Sequence, residues 1–285
     1  MLTALTNYQR LETTALWVVG VALDLVLLLA GRRRRFALLT PPFLGRQTIY
    51  DRNSRKLIRV NIRDRVDYSV VRQIFVKEDY GLEKLRRANE LGETYRAIIG
   101  AGRIPLIVDC GANSGMAVRY FTETYEDAFV VAIEPDASNL NAARSNNISK
   151  KVSYRLAGIG SSDSRATIRD PGEGNWAYQV EENQDGETVI VSMDSLLGDY
   201  DQSTYVPFIV KIDIGGFEAN LFEKNTEWVD RFPVLIIELH GWMLPGQANS
   251  RNFLRQVSSR DRDFVFFGEN VFSISNARAG AGVSR

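Results

Sequence analysis

Hydrophobic and polar positions follow two different rhythms along this chain. Residues 15–31, ALWVVGVALDLVLLLAG, are continuously apolar apart from Asp24. At 1.5 Å per residue they predict a helix of about 25 Å, slightly short of a roughly 30 Å hydrocarbon core. Each Leu or Val favours insertion by about 0.3–0.6 kcal/mol, and a central Asp opposes it by about 2.5–3.5 kcal/mol. The balance is marginally favourable, so residues 1–35 are expected to form a membrane-anchor helix with a basic flank. From Ile104 the rhythm changes to short apolar runs alternating with amphipathic stretches. Strands are predicted at 106–110, 129–134, 152–157, 208–214 and 234–239, and helices at 115–124, 138–146, 217–222 and 250–258. Continuous apolar strands alternating with helices predict an α/β fold, a doubly wound parallel sheet covered on both faces. DFVFFGENVFSIS near the end predicts a terminal antiparallel hairpin.

Between these regions, residues 36–104 mix short β-rich runs, broken by Pro, Gly and Asp-Arg-Asn, with the helix-rich GLEKLRRANELGETYRAIIGAG. They are expected to be a leader packed on the core domain, residues 105–285. Lys+Arg and Asp+Glu balance at 35 each, so no global field points to nucleic acid. Cys110 is the only cysteine, which excludes an internal disulfide and suits a reducing compartment. Arg32, Arg33, Arg34 and Arg35 follow the apolar run and only Arg10 precedes it. That asymmetry predicts a membrane-associated protein with its catalytic domain on the cytoplasmic side.

The chemistry concentrates at predicted strand ends, where α/β sheets bind ligands. IVDCGANSG turns from a strand into a helix through Gly111, Asn113 and Gly115, without GxGxxG spacing. Asp109 at its mouth would repel a pyrophosphate at the helix N-terminus and suits a cationic ligand. Glu134, ending the next strand, can take both hydroxyls of a ribose. Together they favour S-adenosylmethionine over NAD. Lys211 with Asp213, and Glu238 with His240, stand at period two in apolar runs, so each pair shares a face. Charges there are rarely without a task or a partner, and an ion-pair network is the structural alternative. His240, the only histidine, titrates near neutrality by default and is the expected base, with Asp213 orienting it or holding a metal with other oxygens. Too few carboxylates cluster in the sequence to assert a metal. The loop at 170–187, with Trp176 and Tyr178, is either a substrate lid or an ordinary hairpin connection.

The succession IVDCGANSG, AIEPD, VSMDSL, KIDIGGFE, IIELH resembles the FkbM family of S-adenosylmethionine-dependent methyltransferases over roughly residues 105–242. The resemblance implies a class I, Rossmann-like methyltransferase fold with a seven-stranded sheet. It also implies O-methylation of a hydroxyl on a sugar, glycolipid or polyketide-like product. It would place Asp109, Gly111, Asn113 and Gly115 in the methionine-side pocket, Glu134 on the ribose and Ala157 against the cofactor. Asp213 would lie near the reacting groups, with Lys211, Glu218 and His240 in the same catalytic set. Gly215 stands where the family usually carries an acid, so that acid's role has passed to Glu218 or the specificity has changed. A membrane-anchored scaffold without activity, and a dinucleotide-dependent oxidoreductase, remain the alternatives.

Overall fold

The computed structural model describes residues 14–15, 17–18, 21–22, 34–41, 45–147, 149–169, 179–182 and 185–277. Strands β1 (Phe36–Leu38), β2 (Arg46–Asp51) and β3 (Lys56–Asn61) form a small antiparallel sheet in sequential order. Its alternation is visible in β2, which buries Gln47, Ile49 and Asp51. Helices α1 (Arg65–Val71) and α2 (Ala88–Gly100) follow. Asp64 caps α1, its Oδ1 accepting from Asp67 N at 2.9 Å.

The main sheet takes β4 (Ile104–Cys110), then α3 (Met116–Thr124), β5 (Phe129–Glu134), α4 (Ala137–Asn146) and β6 (Val152–Leu156). Asp136 of IEPD caps α4, its Oδ1 accepting from Asn139 N at 2.8 Å. The chain then builds an accessory four-stranded sheet from β7 (Gly158–Gly160), β8 (Ser164–Arg169), β9 (Gln179–Glu182) and β10 (Thr188–Ser192), in the order β7-β10-β8-β9. Sequence periodicity did not foresee this sheet, because its strands are short and interrupted by Gly and Ser. After α5 (Met193–Gly198) the main sheet resumes with β11 (Tyr205–Ile212), α6 (Glu218–Leu221), β12 (Val234–Glu238), α7 (Arg251–Ser258) and the hairpin β13 (Arg262–Phe267) and β14 (Asn270–Ser275).

The main sheet has seven strands in the order β13-β14-β12-β11-β4-β5-β6. The five from β12 to β6 are parallel, and β14 pairs antiparallel with β12. This is the mostly parallel sheet with a C-terminal hairpin that the pattern predicts. Both faces are covered. Ile107, Ile209, Val234 and Ile236 enter one apolar cluster, which also takes Phe36, Ile49 and Ile58 from the small sheet. Val108, Val210, Leu235 and Ile237 enter the other, with Trp228 and Phe253. The chain leaves β4 toward β5 on one side and returns to β11 on the other. The switch point therefore lies between the ends of β4 and β11, where Lys211 pairs with Asp109 and Ile212 with Cys110.

The N-terminal expectation is corrected. Among the described residues no helix is long and apolar enough to cross a membrane. Residues 15–31 lie mostly outside the described residues, although Ala15, Trp17, Val18, Val21 and Ala22 are helical. Seventeen residues interrupted by Asp24 fall short of the roughly 20 apolar residues that a span takes. Arg35, the last residue of the expected basic flank, is part of the fold. Its Nε and Nη2 donate to Asp51 at 3.1 and 2.9 Å, and its Nη1 donates to Thr124 Oγ1 at 3.1 Å. The membrane-side placement built on that segment is not sustained.

Candidate active site

The turn after β4 is shaped by its backbone. Gly111 has φ +83°, and a Cβ there would lie 1.8 Å from the Asp213 carbonyl oxygen. No larger residue could stand so close to the end of β11. The amides of Gly111 and Ala112 both donate to Ile133 O, at 3.0 and 2.9 Å, tying the turn to β5. Asn113 has φ +46°, and its amide donates to Glu134 Oε2 at 2.8 Å. Gly115 plays a different part from the one expected. It does not line the cavity; a Cβ there would meet Ala143 Cα at 2.7 Å, so it serves the packing of α3 on α4.

Glu134 is 4% exposed, and its carboxylate also accepts from Asp136 N at 3.1 Å and Asn139 Nδ2 at 3.4 Å. Burial raises its pKa, and these donors oppose the rise. A carboxylate offers about four lone-pair sites, so capacity remains toward the cavity. Arg63 holds the surroundings of this acid. It donates to Asn113 Oδ1 at 3.1 Å and Asn139 Oδ1 at 2.8 Å while paired with Asp67 at 2.9 Å. No sequence signal marked Arg63, because its partners lie 50 and 76 positions away.

Asp109 also departs from expectation. It is fully buried and lies beneath the cavity, not on its wall. Its Oδ1 is 2.9 Å from Lys211 Nζ, which also donates to Gly111 O at 2.7 Å and lies 3.6 Å from Asp213 Oδ2. Burial works against the charge on Lys211, but Asp109 and Asp213 outweigh it and hold its pKa well above the ordinary lysine value. Asp109 and Lys211 therefore clamp the glycine turn to β11 from below.

Asp213 and Glu238, at the ends of β11 and β12, reach the cavity with His240, which opens the turn after β12. His240 Nδ1 lies 2.8 Å from Glu218 Oε1, and its Nε2 faces Asp213 Oδ1 at 3.5 Å and Glu238 Oε1 at 3.7 Å. Burial opposes the imidazolium, but the Glu218 hydrogen bond and the three carboxylate charges outweigh burial and raise its pKa to about 9. A histidine raised in this way favours holding its proton at neutral pH, which does not suit the base role expected of it. Burial and the neighbouring Asp213 raise Glu238 to about 7, against the attraction of His240. Glu218 is fully buried and does not line the cavity. It hydrogen-bonds His240 from outside the cavity that Gly215 lines. Glu238 was recognised only as the period-two partner of His240; the fold makes it a wall of the site. One atom each of Asp213, Glu238 and His240 lies within 4.8 Å of the others, a donor set able to hold a cation. A metal-capable cluster therefore exists where the linear sequence offered none.

A single cavity of about 460 Å³ connects these groups. Gly111, Asn113, Glu134 and Ala157 line one end, and Asp213, Gly215, Glu238 and His240 the other. Arg65, Ser69 and Gln73 of the α1 region and Glu269 of the terminal hairpin also line the cavity. The proposed lid at 170–187 falls largely outside the described residues, as do Trp176 and Tyr178.

A glycine turn and a buried acid stand at the switch point of this α/β sheet. The chain belongs to the methyltransferase FkbM domain family, whose model matches residues 109–266, more than half its length. Similar solved structures include the METTL16 MTase domain, at 13% identity and TM-score 0.37, covering 66% of this chain and 67% of that one. A methyltransferase from Geobacter sulfurreducens has 15% identity and TM-score 0.34, covering 72% and 87%. M. capricolum TrmK in complex with S-adenosyl-homocysteine has 11% identity and TM-score 0.32, covering 65% of each chain. No curated protein matches the chain.

Proposed function

We propose that this methyltransferase uses S-adenosylmethionine and transfers its methyl group to a hydroxyl of a sugar or related natural product. One observation carries the reading: the same cavity has a ribose-type acid, Glu134, at one end and the Asp213–Glu238–His240 cluster at the other. Its volume lies within the range of small-molecule sites. Gly111, Asn113 and Ala157 line the donor end, and their small or backbone surfaces leave room for a nucleoside. Net negative charge around the strand ends suits a sulfonium. When bound, S-adenosylmethionine supplies an electrophilic methyl for in-line displacement, a reaction governed by proximity and alignment.

This chain's residues do the rest. Asp213 and Glu238 face the acceptor end and are the carboxylates in reach of a hydroxyl proton. The His240 ring stands beside both, its Nε2 at 3.5 Å from Asp213 Oδ1 and 3.7 Å from Glu238 Oε1. Gly215, without a side chain, leaves the acceptor wall open where the family carries an acid. A polyhydroxyl acceptor satisfies carboxylates in such a wall through its own O–H donors.

Calorimetry of the full chain with S-adenosylmethionine, followed by incubation of the labelled donor with sugar and glycolipid extracts, tests the reading. Binding is expected, with label appearing in an O-methylated product and S-adenosylhomocysteine released. Glu134→Gln should weaken binding about 10- to 100-fold, the worth of a charge-assisted hydrogen bond. No donor binding by the folded wild type would sink the proposal.

A further inference from the structure

The ends of β11 and β12 gather more negative charge than they balance. Among the described residues, the ion pairs here set Asp109, Asp213, Glu218 and Glu238 against Lys211 and His240. Within this group one ring is held in a fixed orientation. Glu218, itself anchored by Asn249 Nδ2 at 2.6 Å and Gly216 N at 3.1 Å, holds His240 Nδ1. The imidazole is 4% exposed and cannot turn without breaking that contact. Its other nitrogen points between two carboxylates at 3.5 and 3.7 Å, both too far for a good hydrogen bond.

We propose that Asp213, Glu238 and His240 form a divalent-cation site, with Asp213 Oδ1, Glu238 Oε1 and His240 Nε2 as ligands. An ion between them would sit at the roughly 2.0–2.5 Å that such ions take to oxygen and nitrogen. One imidazole with two carboxylates suits a first-row ion such as Mn²⁺ better than Mg²⁺, which prefers oxygen alone. A carboxylate on the far ring nitrogen is the usual support of a metal-bound histidine, and Glu218 stands there. On binding, the cation replaces the Nε2 proton, which passes to solvent. Three protein ligands leave further positions open, and the three residues line the acceptor end of the cavity. Resting on the methyl-transfer reading, those positions take the acceptor's hydroxyl oxygen, orienting it and lowering its proton affinity.

Mn²⁺ titrated into the metal-free full chain, followed by calorimetry and by the paramagnetic resonance of the free ion, tests the site. One ion per chain is expected. Asp213→Asn, at a partly exposed side chain, and His240→Gln should each weaken binding at least tenfold. Glu218→Gln should weaken it about 10- to 100-fold by releasing Nδ1. Absence of bound Mn²⁺ and Zn²⁺, or unchanged affinity in the folded Asp213→Asn protein, overturns the proposal. S-adenosylmethionine binding is measured on the same preparations. Mn²⁺ binding without donor binding keeps the cation site and defeats the methyl-donor reading; donor binding without Mn²⁺ defeats the cation site alone.

Discussion

Asp109 and Lys211 show how far a single side chain's role depends on what lies above it. In sequence both look like groups that meet a ligand. In the fold they pair at 2.9 Å under the glycine turn, and neither lines the cavity. Each is expensive to leave alone. Lys211→Met should cost roughly 3–5 kcal/mol, because it strands a buried carboxylate. Adding Asp109→Asn should recover part of that loss. Chemical denaturation of the wild type, the single variant and the double variant measures both steps. A Lys211→Met chain as stable as wild type would show that the pair does not hold the turn. Asp213 and Glu238 each directly follow a buried strand residue, Ile212 and Ile237, and emerge because β11 and β12 end there. His240 was legible as a site residue but not as a cation, since the carboxylates that raise its pKa include Glu218, 22 positions away.

At the scale of elements, the small β1–β3 sheet is bound to the core by specific ion pairs as well as apolar packing. Arg35 grips Asp51 of β2 with two donors and reaches Thr124 at the end of α3. Asp51 is fully buried; burial alone would raise its pKa, but Arg35 outweighs that and holds it below the ordinary value. A carboxylate with a depressed folded pKa stabilises above its unfolded pKa of about 3.9, and the contribution is lost as pH falls through the folded value. Asp51→Asn should therefore lower stability by roughly 3–5 kcal/mol at neutral pH. The difference between variant and wild type should shrink below about pH 4. Thermal melts across that range check the sign; a pH-independent difference would mean that the pair's charge is not what matters. Arg63, just after β3, extends the same sheet's influence to Asn113 and Asn139 at the donor end. Short β-rich runs were visible in this stretch of the chain, but their docking against α3 was not.

For the whole molecule, the site exists because one chain reversal brings the ends of β4, β5, β11 and β12 together. A ligand filling that cavity binds only the folded state. S-adenosylhomocysteine at about 100 times its Kd should add about 2.7 kcal/mol and raise the melting temperature by several degrees. Scanning calorimetry with and without it measures the shift, and no shift at that saturation would place the ligand elsewhere. The amino-acid sequence by itself determined the main-sheet strands and their helices from Ile104, the terminal hairpin and the glycine turn. Those depend on local periodicity and on backbone angles that few residues adopt. It also carried the family motifs, with Glu134, Asp213 and His240 among them. Only the tertiary structure decided which charges face the cavity and which lie under it, how His240 keeps its proton, and that Glu238 completes a cation-sized cluster. It also decided that Arg35 serves an internal ion pair. Burial and electrostatics at a point sum over residues from several strands, and no linear pattern contains that sum.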